Sequence, residues 1–143
     1  INSYQIFQWD SQLLWKILLA ASPEFVWIAN IMFANNICDA HEDEMNKRHT
    51  IVHYLGVKTS VWLWNALNVL AILLIFFGIY VGVYPIALIA IVVMLPMITK
   101  QMRLFTHKQV KRETFVCSVK ILINGSLGLC LGFLIYLVYS LVA

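Results

Sequence analysis

The sequence predicts an all-α integral membrane bundle of four transmembrane helices, and three observations carry that prediction. Of 143 residues, 62% are hydrophobic and 12% charged, about half the roughly 25% charged fraction of soluble domains. Apolar stretches long enough to cross a bilayer recur four times. The basic residues gather in two blocks between these stretches. Helix is the expected form, because unpaired backbone groups in hydrocarbon are costly and a few isolated strands cannot close a barrel.

The first stretch runs from about Leu13 to Cys38 and the second from about Val61 to Val83. The third runs from about Pro85 to Thr99. It reaches the roughly 20 residues needed to span about 30 Å only by continuing through Gln101 and Met102 towards Leu104. The fourth runs from about Val119 to Val142. Gly82 and Pro85 predict a tight turn between the second and third. Pro23 and Pro96 lie inside spans and predict kinks. Asn124, Gly125, Ser126, Gly128 and Gly132 give the last helix a small-residue surface suited to close packing. Trp9, Trp15, Trp62 and Trp64 fit interfacial belts, whereas Trp27 is too deep for one.

Nine of the ten basic residues lie after the first span (Lys47, Arg48, Lys58) or between the third and fourth (Lys100, Arg103, Lys108, Lys111, Arg112, Lys120). By the positive-inside tendency both charged loops are cytoplasmic in a multi-pass cell-membrane protein, with the Gly82–Pro85 turn outside. The net charge of +3 is small and points to no nucleic-acid partner. Cys38, Cys117 and Cys130 match no metal spacing or disulfide framework, and each is expected buried. The chain opens at Ile1 without the basic n-region of a signal peptide, and is expected to be trimmed or a piece of something longer.

Four of the seven acids, Asp39, Glu42, Asp43 and Glu44, fall together where the first span ends. A helix continuing through them places Asn35, Asp39 and Asp43 on one face, with Asn36 beside them. Carboxylates one turn apart repel unless a cation lies between them. Oxygen ligands on a helix suit Mg²⁺, which takes one or two carboxylates plus substrate phosphate oxygens. Lys47, Arg48 and His49 stand near enough to hold phosphate. For an isolated pair of this kind, a solvated helix end with ordinary ion pairs is the commoner account.

Asn35 and Asn36, then Asp39, Glu42 and Asp43, then Asn46, Arg48, Thr50 and Gly56 resemble the second aspartate-rich motif of the UbiA superfamily of membrane prenyltransferases. The closest resemblance is to the 1,4-dihydroxy-2-naphthoate polyprenyltransferases of menaquinone synthesis. Those enzymes have nine transmembrane helices. The resemblance implies that residues 1–143 are the sixth to ninth, the C-terminal half, with the earlier Asn-x-x-x-Asp motif in a missing N-terminal half; activity of this chain alone is therefore in question. It implies that Asp39 and Asp43 ligate Mg²⁺, that Asn35 or Asn36 orients them or the ligand, and that Arg48, with Lys47 as a weaker candidate, contacts the diphosphate. Glu42 is either a supporting group or a solvated acid. The implied partners are a polyprenyl diphosphate, an aromatic acceptor and the bilayer. The implied reaction ionises the allylic C–O bond and joins the prenyl cation to the acceptor ring, with loss of CO₂ when the acceptor is the naphthoate.

Several residues stay open in the sequence. Glu24 either faces the cavity, sharing a face with Ile31, Asn35 and Asp39, or bonds to a neighbouring helix. Phe76, Phe77, Tyr80 and Tyr84 line an isoprenoid path or simply pack. Lys100, Arg103 and Lys120 contact substrate or set topology. His53 and His107 read as loop residues without a partner. A cation transporter would predict repeat-related spans, which are not found. An alcohol phosphatidyltransferase would carry an Asp-Gly start and an Ala-Arg pair, and neither occurs. An inert four-helix module remains the other alternative.

Overall fold

The computed structural model describes residues 11–142; Trp9 and Asp10 lie outside them. In chain order, α1 spans Ser11–Cys38, α2 Ala40–Met45, α3 Ile51–Leu55 and α4 Val57–Tyr80. A 3-10 helix, Ile86–Met94, runs directly into α5, Leu95–His107, and α6 spans Phe115–Val142. The described residues form an all-α bundle. Four segments are long and apolar enough to cross a membrane: Leu13–Cys38, Val57–Tyr80, Ile86–His107 and Phe115–Val142.

α1 runs unbroken through Pro23. Proline has no N–H for the carbonyl four residues back, that of Leu19. Ser22 Oγ donates to that carbonyl instead, at 2.8 Å. The neighbouring Ala20 carbonyl accepts the Tyr84 hydroxyl from the turn after α4. One side chain from the helix itself and one from the turn after α4 thus bond the carbonyls preceding the proline, as hydrocarbon surroundings require.

The third span reaches its length by changing helix type. Nine residues of 3-10 helix at about 2.0 Å each and thirteen of α-helix at about 1.5 Å each give roughly 37 Å. The change falls at Met94–Leu95, beside Pro96 in the first turn of α5. α5 continues through Gln101 and Met102, the extension that the third span needs to reach its length.

α1 packs on α4 and α6, and α6 also packs on the 3-10 helix and α5. Lipid supplies no hydrophobic force between helices, so close contact and hydrogen bonds must hold them. A Cβ at Gly125 would overlap the Trp27 ring, and one at Gly132 would meet Leu88 Cα at 2.7 Å. Asn30 Nδ2 and Asn68 Nδ2 both donate to the Trp64 carbonyl, at 2.9 and 3.0 Å. Ser118 Oγ donates to the Asn30 carbonyl at 3.3 Å. Trp64 is therefore no belt residue: it is fully buried, stacked on Phe105 at 4.3 Å, while Trp15 and Trp62 are exposed. Cys130 also departs from expectation. It lies exposed on the outer surface of α6, whereas Cys117 is buried and Cys38 half-buried.

Candidate functional site

Asp39 sits at the joint between α1 and α2, with φ −90° and ψ 1°. The helical ladder still crosses the joint: Asp39 N donates to Asn35 O at 2.9 Å and Asp43 N to Asp39 O at 2.8 Å. The single helix expected through the acids is nevertheless not formed: α1 stops at Cys38 and α2 starts at Ala40, and these two bonds bridge the joint.

α2 ends in a Schellman turn. Arg48 N donates to Asp43 O at 2.7 Å and Lys47 N to Glu44 O at 3.1 Å. Lys47 occupies the left-handed position, φ 54°, which glycine normally fills. The turn at Gly82, φ 73°, has the same pair of bonds: Val83 N to Gly78 O at 2.9 Å and Gly82 N to Ile79 O at 3.1 Å. α3 then follows the N-cap residue Thr50 and hands over to α4 through Gly56 alone, at φ 75° and ψ 153°. Only glycine visits that region readily. With open space around a Cβ there, backbone conformation is what requires it.

These turns fold the motif around a cleft of about 400 Å³. Asp43, Glu44 and His41 of α2, Arg48 and Thr50 of the turn, and His53 of α3 line it. His53 is not a partnerless loop residue: it lies on α3 with its ring 4.5 Å from that of His49.

Asp39 stands in another setting. Its Oδ2 accepts Asn35 Nδ2 at 3.1 Å and the Lys111 ammonium at 2.5 Å. Its side chain is 14% exposed. Asp39 holds the Lys111 ammonium above its ordinary pKa, chiefly through this hydrogen bond. Asp39 and Asp43 are joined by one backbone bond but do not share the one face expected for them: Asp43 lines the cleft, whereas the Asp39 carboxylate pairs with Lys111 of the segment leading into α6. Asn36 is half-buried, and Lys47 is exposed in the turn.

Glu24 takes the neighbouring-helix option. Ser126 Oγ of α6 lies 2.9 and 3.2 Å from its two carboxylate oxygens. Tyr84 packs against Gly78 and reaches Ala20, Tyr80 is exposed, and Phe76 packs at the edge of the core. Arg103 and His107 line a separate groove with Asn65 and Thr106. Lys100 and Lys120 are exposed.

The residue that sequence reasoning missed is Lys111. It stood as one base among six in the second basic loop, and no local pattern links it to Asp39, 72 positions away.

Among the described residues, no group of three or more His, Cys, Asp or Glu could hold a metal ion by itself. The donor chemistry fits a metal that arrives with its substrate. Mg²⁺ needs only one or two carboxylates when phosphate oxygens and waters complete its shell. Comparison with curated proteins and with solved structures finds no match. The model of the UbiA prenyltransferase family matches residues 6–124, across the acidic joint, the cleft and the start of α6. The chain belongs to the UbiA prenyltransferase family.

Proposed function

We propose that this chain carries part of the active site of a Mg²⁺-dependent enzyme that transfers a polyprenyl group from its diphosphate to an aromatic acceptor, 1,4-dihydroxy-2-naphthoate, in menaquinone synthesis. The observation that carries the reading is the fold of the acidic segment. Asn35, Asp39, Asp43, Arg48, Thr50 and Gly56 are spaced along one joint, one turn and one cleft at the end of a membrane-spanning helix. In this reading the chain is the C-terminal half of the bundle, helices six to nine, its charged loops are cytoplasmic, and an earlier aspartate motif completes the site.

Asp39 and Asp43 are the residues that would hold Mg²⁺, and Asn35 orients the Asp39 carboxylate through its amide. When bound, the metal neutralises the charge that builds on the departing diphosphate. Arg48, on the cleft wall, offers a planar fork of donors to phosphate oxygens. Lys47 shapes the turn that presents Arg48, and its own side chain is a weaker phosphate contact. An apolar bundle closed around the site would keep water from the allylic cation.

The test is prenyl transfer by the full-length protein in membranes, with labelled polyprenyl diphosphate and either the naphthoate or 4-hydroxybenzoate as acceptor. The reading predicts Mg²⁺-dependent product and CO₂ release with the naphthoate. Product with 4-hydroxybenzoate alone would overturn the acceptor assignment.

A further inference from the structure

The connection between α5 and α6, residues 108–114, is a closed turn. Gln109 Nε2 donates to the carbonyls of Phe105 and Thr106, at 2.6 and 2.9 Å. Glu113 N and Thr114 N both donate to Val110 O, at 2.9 and 2.8 Å, and Val110 N donates to Thr114 Oγ1 at 2.9 Å. Lys108 pairs with Glu113 at 2.6 Å. These bonds fix the backbone of Lys111. Its side chain, 52% exposed, reaches out to Asp39 Oδ2, an oxygen that also accepts Asn35 Nδ2.

We propose that Lys111 is the resident counter-ion of Asp39, yields that carboxylate to the incoming divalent cation, and then pairs with the diphosphate. The inference rests on Asp39 being a metal ligand. An ammonium in contact with a carboxylate oxygen repels a divalent cation approaching the same oxygen. Metal alone must therefore break a charge-assisted hydrogen bond. Metal arriving with a diphosphate brings a new anionic partner for the ammonium, which its flexible four-carbon stem leaves free to swing. The fixed turn lets the ammonium change partners while the backbone stays in place. Metal and diphosphate then bind with positive coupling, and the coupling is reciprocal. Asp39 keeps a cationic partner in both states, so the protein holds free metal weakly and metal with diphosphate well.

The experiment is Mn²⁺ binding to the purified full-length protein in nanodiscs. Free Mn²⁺ is read by electron paramagnetic resonance, with and without inorganic pyrophosphate, for wild type, Lys111→Gln, Lys111→Arg and Asp39→Asn. Lys111→Gln is expected to bind Mn²⁺ alone about two- to fivefold more tightly, the range for losing one exposed ion pair. Its affinity for pyrophosphate in the presence of Mn²⁺ is expected to fall by a similar factor, and Lys111→Arg to behave as wild type. If Asp39→Asn loses Mn²⁺ while Lys111→Gln binds it no more tightly than wild type, the counter-ion role is overturned and the metal assignment stands. If Asp39→Asn binds Mn²⁺ as wild type does, the metal assignment falls and this inference falls with it.

Discussion

Replacing Gly132 with alanine sets two effects against each other, and the structure decides which wins. Alanine in a helix interior is favoured over glycine by about 1 kcal/mol. At Gly132, however, the new Cβ would lie 2.7 Å from Leu88 Cα and 3.1 Å from Ala87 O, both backbone atoms of the 3-10 helix. Ordinary carbon contacts need about 3.5 Å or more, so the two helices must part by most of an ångström. Overpacking of this kind costs about 1–3 kcal/mol, and a rigid backbone neighbour places Gly132 at the upper end. The expected net loss is about 1–2 kcal/mol. Gly128 is the control: its closest neighbour is Ile91 Cδ1, the far end of a flexible side chain, although Ile91 Cα also lies at 3.3 Å. Its loss should be smaller. The assay is reversible unfolding in mixed micelles, followed by tryptophan fluorescence. A Gly132→Ala protein as stable as wild type, or more stable than Gly128→Ala, would refute the packing described for α6.

Lys47→Gly should stabilise the protein by about 0.5–1 kcal/mol in the same assay, because it relieves a left-handed L-residue at the end of α2; a loss of stability would mean that the lysine side chain does more than sit in the turn. Burial, then the nearby Glu24 charge, raises the Tyr84 phenol above its ordinary value. The unfolded chain therefore releases this proton first. The resulting stability is fully present below the ordinary tyrosine pKa, about 10, and is lost as pH rises through the higher folded value. The phenolate absorbance difference between wild type and Tyr84→Phe should accordingly appear only above the ordinary tyrosine range, and a phase within that range would contradict the buried setting.

Much of the fold was legible because lipid leaves the backbone few choices. The four apolar runs became the four spans, and the Gly82–Pro85 turn formed where glycine permits positive φ. Length alone foretold that the third span must pass Gln101. It did not foretell the 3-10 winding, since periodicity within a wholly apolar run such as Ile86–Met94 has no polar face to report it. Trp64 was misplaced for a related reason. A tryptophan near a span end suits an interface or a core, and only the rotation of α4 against α1 and α5 separates the two. The acidic joint could be read from spacing and resemblance. Its partner Lys111 could not, because the pairing depends on how the connection before α6 lies over the end of α1.

The role of Asp39 is tested most directly by titrating Mg²⁺ against diphosphate release from a polyprenyl diphosphate, using the full-length protein and its Asp39→Asn variant. The expected result is Mg²⁺-dependent release that falls by about a hundredfold or more in the variant, the usual scale for losing one element of charge stabilisation. Near-normal release by Asp39→Asn, with an unchanged Mg²⁺ requirement, would contradict it.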